Sequence, residues 1–218
     1  MLKRSVWGVV AIACLVAPEV AHAQFGGLKI PGLDRLMPGA GAASAGASLG
    51  AFNQPGTPMG QVNTATLRFL KGGKELADAV NDAKLAGSYQ VVIDKVEASG
   101  VDQKTGAEVS DLGEKTSALI KDKAKLERAQ VELVEQAGVD VGTGAYLESF
   151  AVASARSILT HPPTNPTDIS SAALFAQTVP TNLTAMLNVQ RALYGFLKSK
   201  GRDPDSAAKS AAQSLQKG

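Results

Sequence analysis

Very little in this chain can carry covalent or redox chemistry. Cysteine and tryptophan occur once each and histidine twice, and Trp7, Cys14 and His22 all lie close to the N-terminus. If that end is removed on export, His161 is the only one of the four left. No disulfide, thiol nucleophile or thiolate metal site is then possible, even in an oxidising compartment. One histidine likewise cannot make a multi-histidine metal centre. The composition therefore implies no metal and no cofactor, and it points away from an enzyme.

Charge is also sparse and nearly balanced. The formal net charge of +2 falls to +1 without Lys3, Arg4 and Glu19. Such a balance gives nucleic acid or an anionic membrane surface no electrostatic hold. No apolar run beyond the N-terminus is long enough to span a bilayer as a helix.

What is present begins with an export signal. Lys3 and Arg4 form a positive start, and Ser5 to Ala17 is an uncharged, mainly apolar run too short to span a membrane. Pro18 breaks it, and Ala21-His22-Ala23 supplies the small residues that a signal peptidase accepts. Residues 1–23 are thus expected to be a cleaved signal peptide, with the cut between Ala23 and Gln24 and a periplasmic or secreted destination. Ala11-Ile12-Ala13-Cys14 is the rival, a lipobox-like stretch that would anchor the protein through Cys14. It lacks the usual leucine three residues before the cysteine, and the export reading is preferred.

Residues 24–60 hold nine glycines and four prolines, with Lys29, Asp34 and Arg35 as their only charges. So much Gly and Pro, with so few bulky side chains, predicts a flexible low-complexity arm. Phe25, Leu28, Ile30, Leu33, Leu36 and Met37 are its apolar exceptions and make one adhesive patch.

Helical periodicity dominates from Gln61. Leu67, Leu70, Leu76, Val80 and Ala83 share a face, Asn63 or Thr64 offers a cap, and Gly72-Gly73 predicts a kink. Val92, Ile93 and Val96 extend the pattern to Ser99-Gly100, as one bent helix or two in series. Asp102, Lys104, Thr105 and Gly106 then read as a turn. Leu112, Leu119, Leu126 and Leu133 recur every seven residues, but the positions a coiled coil would need three further on are Lys115, Asp122, Ala129 and Gln136. An amphipathic bundle helix ending at Gly138 is the better fit.

Gly142-Thr143-Gly144 is expected to open the next helix, Ala145 to Thr160, which is apolar on most sides and so central. His161-Pro162-Pro163 stops it. A connector with a short helix from Ser170 to Thr178 leads to a further helix, capped by Thr181 or Asn182 and closed by Gly201. The expected fold is an all-α bundle of four to five helices over residues 61–203. Residues 204–218 follow as a weak C-terminal helix or tail, with Leu215 as its main apolar anchor.

Several motif matches fail on context. Gly46-Ala47-Ser48-Leu49-Gly50 has the spacing of a hydrolase nucleophile elbow, but no strand precedes it. Lys104-Thr105-Gly106 and Ser206-Ala207-Ala208-Lys209 stand in the wrong order for penicillin-recognising enzymes. Asp102 to Asp111 breaks the calcium-loop spacing at Lys104. His161 fits a helix-end cap better than a general base. The sharper candidates are Glu148 and Arg156, isolated charges on an apolar helix, which if buried would each need a partner. With Tyr146, Phe150 and Tyr194 they form a candidate ligand-binding set.

The expected function is a non-enzymatic protein-interaction or structural domain of the cell envelope, with an unidentified envelope protein as its partner. A carrier or sensor of a small apolar ligand held between helices is the alternative, and a carboxylate-dependent hydrolase is the remote one.

Overall fold

In the computed structural model the described residues are 58–160 and 166–217, with side chains described at 59–152 and 173–216. The expected signal peptide, its cut at Ala23–Gln24, Cys14, most of the arm and His161 lie outside them. Every described element is a helix: α1 (Pro58–Ala79), α2 (Ala83–Ser99), α3 (Gln103–Lys121), the single turn α4 (Lys123–Leu126), α5 (Val131–Thr160), α6 (Pro166–Ser199) and α7 (Asp205–Lys217). No strand occurs among the described residues.

Helix ends follow local chemistry. α1 opens at Pro58, where a missing N–H costs nothing because the first helical donors have no partner in any case. Asn81, in the left-handed region at φ 58°, separates α1 from α2, so two helices in series is the outcome. The Asp82 side chain caps α2 by accepting from the Leu85 amide. Gly100 and Gly201 take the positive φ values, 76° and 74°, that follow α2 and α6. Asp102, expected in a turn, instead caps α3 in a reciprocal pair with Thr105.

The expected helix count was too low for the described residues, and several expected boundaries were misplaced in both directions. Gly72-Gly73 does not kink α1, which runs unbroken for 22 residues. The glycines from Gly138 to Gly144 do not separate two helices; they sit within the 30-residue α5. Pro180 does not end a connector but lies inside the 34-residue α6. Its ring leaves one carbonyl unbonded, that of Ala176, and Ala176 is exposed to water. Conversely, the leucine heptad does not run through one helix. Asp122 ends α3 and caps α4, and Leu133 at the start of α5 is 49% exposed while Leu112, Leu119 and Leu126 are buried.

Helix α5 is the hub and packs against α1, α6 and α7. It runs antiparallel to α1: a Cβ on Gly72 would stand 2.8 Å from the Ala137 carbonyl oxygen, and one on Gly144 would stand 2.6 Å from that of Ala65. At these two points the helices touch backbone to backbone. α3 runs parallel to α6, with Gly106 against Thr178 and Gly113 against Ala185. Phe69, Leu70, Leu126, Val134, Met186, Leu193 and Leu197 are among the core residues with no exposed surface.

The α7 anchor also differs from expectation. Leu215 is 40% exposed, whereas Ala208 and Ala212 are fully buried. The small faces matter because Ala208 lies directly over Gly142 of α5, where a larger side chain would hold the helices apart.

Candidate functional site

The five residues singled out from sequence do not form one site. Successive helical residues turn by about 100°, so Tyr146 and Glu148 project to nearly opposite sides of α5. Tyr146 lies one turn beyond Gly142 and faces α6 and α7. Glu148 lies one turn beyond Gly144 and faces α1. Phe150 is half-buried against the Ala65, Leu147 and Ala212 cluster. The side chain of Arg156 lies outside the described residues.

On the Tyr146 side every group described has a structural task. The Tyr146 hydroxyl donates to Asp205 Oδ1, and Lys209 Nζ donates to Asp205 Oδ2 at 2.6 Å. The same ammonium stands 5.5 Å from the centre of the Tyr146 ring. Burial, then the hydrogen bond to Asp205 and its charge, raise the Tyr146 hydroxyl above its ordinary pKa. The hydrogen bond from Lys209, followed by that from Tyr146, lowers the Asp205 carboxyl. The Tyr194 hydroxyl fills the space a side chain on Gly142 would need, and burial pushes it up to about 12. These residues hold the first turn of α7 onto α5. Only Tyr146 and Tyr194 of the expected set meet here. Asp205 and Lys209 were not foreseen, because no local pattern links them to a tyrosine 59 residues away.

Glu148 is a different case. Its side chain has no exposed surface, and neither carboxylate oxygen has a hydrogen-bond partner. Desolvation alone raises its pKa well above the ordinary 4.5, because a charge in apolar surroundings loses its hydration and gains nothing in return. It therefore stays protonated where an exposed glutamate would be ionised. Since α1 and α5 are antiparallel with Gly144 beside Ala65, Glu148 stands at the level of the first turns of α1. Gln61 Oε1 in that stretch, Thr66 Oγ1 next to Ala65, and both amide atoms of Asn182 on α6 are likewise buried without partners. Asn182, expected to cap a helix, is instead fully buried inside one.

Across the outer edge of the α1–α5 seam, Glu75 and Asp140 lie close enough to influence each other, and burial and then Asp140 raise the Glu75 pKa. Arg68 bridges to Asp140 at 3.1 Å, so the pair forms an ion-pair edge and not an acid–base couple in a cleft. Between the start of α1 and the end of α2 runs an open groove of about 320 Å³, lined in part by Asn63, Thr64, Leu67, Val96, Ser99 and Gly100. Asn63, expected to cap α1, instead accepts from the Val101 amide through Oδ1 at 2.8 Å and so ties the two helices together beneath it. Among the described residues there is no group of three or more His, Cys, Asp or Glu that could hold a metal ion, and no helix long and apolar enough to cross a membrane.

No family model, curated protein or solved structure matches this chain.

Proposed function

We propose that this chain is an exported, non-enzymatic helical domain that works through contacts with another envelope protein, in the periplasm or beyond it. One observation carries the reading: the face of α5 that would have formed a ligand pocket is already covered. Tyr146 is engaged by Asp205, and Phe150 and Leu147 pack with Ala212 of α7. With that face occupied and the α1–α5 backbones in contact, binding falls to the outer surface. The residues 24–60 serve as tether or docking segment, with their apolar patch from Phe25 to Met37.

The carrier reading ranks second on the strength of the α1–α2 groove. Its volume, about 320 Å³, is at the small end for ligand pockets. Its mixed polar lining suits an apolar ligand poorly.

Native mass spectrometry of the protein, produced with its own N-terminus and taken gently from the cell envelope, tests this. A chain beginning at Gln24, in a protein assembly free of small-molecule adduct, is the expected result. A reproducible adduct displaces the proposal in favour of the carrier, and a lipid-bearing chain beginning at Cys14 overturns soluble export.

A further inference from the structure

We infer that Glu148 is a pH-operated latch on the α1–α5 seam: protonated, it lets the two helices close, and ionised, it forces that end of the seam open. The geometry has three parts. Glu148 is fully buried with both carboxylate oxygens unpartnered. It shares a stripe of α5 with Val141 and Gly144, where the two backbones lie so close that a Cβ on Gly72 of α1 would stand 2.8 Å from the Val141 nitrogen and one on Gly144 would stand 2.6 Å from the Ala65 carbonyl oxygen. Backbones with no room even for a Cβ between them leave no slack for water to reach a carboxylate without separating the helices.

Among the described side chains no charge on the packed helices relieves it. Of those side chains, the titratable ones on the elements against α5 are Arg68, Lys71, Lys74, Glu75 and Asp78 on α1, Arg191, Tyr194 and Lys198 on α6, and Asp205 and Lys209 on α7. Glu132, Glu135, Asp140 and Tyr146 stand on α5 itself. Arg68 is committed to Asp140 and Lys209 to Asp205, and Glu148 responds to burial alone. Arg156 is eight residues further along α5, about 12 Å by helical rise.

The sign follows from linkage. A carboxyl whose folded pKa is raised contributes stability that is complete below its unfolded value, about 4.3. That contribution is lost as pH rises through the folded value. Asp102 and Asp205, both lowered, act oppositely and weaken the fold only in acid. Glu75, also raised, acts in the same sense but stands toward the Gly72 end of the seam, so loosening above about pH 4.3 at the residue 61–69 end is the signature of Glu148.

The test is amide hydrogen exchange of the full chain at pH 5, 7 and 9, corrected for intrinsic rates, in the wild type and in Glu148→Gln. In the wild type, residues 61–69 and 144–151 should lose protection as pH rises. The full loss amounts to tenfold for each unit by which the folded pKa exceeds the unfolded one. In Glu148→Gln the same segments should show no such trend, while α3 and its contact with α6 behave alike in both proteins. Glu148→Met provides the same comparison should the buried amide of the Gln variant prevent folding. Parallel pH profiles in wild type and variant would overturn the inference. So would an alkaline loss spread evenly over all helices.

Discussion

Two flanks of α1 place a polar side chain in the core by the same device and leave it in opposite states. At the α1–α2–α3 corner the ring of Tyr89 occupies the space above Gly73. Its hydroxyl meets Thr116 Oγ1 and donates to the Leu112 carbonyl at 3.3 Å. At the α1–α5 seam, Gly144 admits the α1 backbone itself, and Glu148, one turn on, finds no partner. Glycine creates proximity in both places. The difference is that a ring fills the first space and brings its own hydrogen bond, whereas the second is closed by backbone and has no donor to offer. A buried polar group is tolerated when satisfied and held at a cost when not. The corner is built for permanence, and the seam is the part of the core that a proton can loosen.

The largest effect should come from blocking the seam. Gly144→Val would set a β-branched side chain 2.6 Å from the Ala65 carbonyl oxygen and 2.9 Å from the Phe69 nitrogen. Two helix backbones cannot yield as a side chain can, so a loss of about 3 kcal/mol or more, or failure to fold, is expected. Denaturant unfolding measures it. A loss below about 1 kcal/mol would mean that the helices do not meet backbone to backbone, and the contrast with the Tyr89 corner would disappear.

A smaller effect should separate the two buried polar groups. Tyr89→Phe keeps the ring over Gly73 and removes only the hydroxyl, so about 1 kcal/mol is expected. Thr116 can turn its own hydroxyl back to the Leu112 carbonyl, as threonines in helices do. Burial raises the Tyr89 hydroxyl far above its ordinary 10, so it stays neutral and this loss should be the same at pH 5 and pH 9. A loss that shrank as pH rose would assign the alkaline sensitivity to the corner and remove it from Glu148.

How much of this was legible in the sequence depended on whether a signal was local. The all-helical class was, because Leu70, Leu76, Leu112, Leu119 and Leu126 recur at helical spacing and are indeed buried. The stops at Gly100 and Gly201 were too, since a residue needing positive φ announces itself. Glu148 was visible as a charge on an apolar helix, but its isolation was not, because Gly144 and the level of α1 beside it depend on a helix some 80 residues earlier. The interior glycines were misread for the same reason. From one sequence a glycine shows its cost to the helix, while the close approach that repays it belongs to the partner. Pro180 is the same problem reversed, since its tolerance rests on Ala176 facing water.

The finest test therefore uses glycines with no partner at all. Gly87 in α2 and Gly195 in α6 are exposed, and a Cβ added at either would meet nothing within 4 Å. Neither has a positive φ among the described residues, so alanine fits the backbone as it stands. Only the intrinsic term remains, in which alanine freezes less backbone freedom than glycine on entering a helix. Gly87→Ala and Gly195→Ala should each stabilise the protein by up to about 1 kcal/mol, read as a higher denaturant midpoint at unchanged slope. The same substitution would then raise stability at Gly87 and Gly195 and lower it at Gly144, within helices of one protein. If Gly87→Ala or Gly195→Ala proved destabilising, those positions would have neighbours that the fold does not show. Glycine in this chain could then no longer be divided into positions that admit a partner and positions that merely weaken a helix.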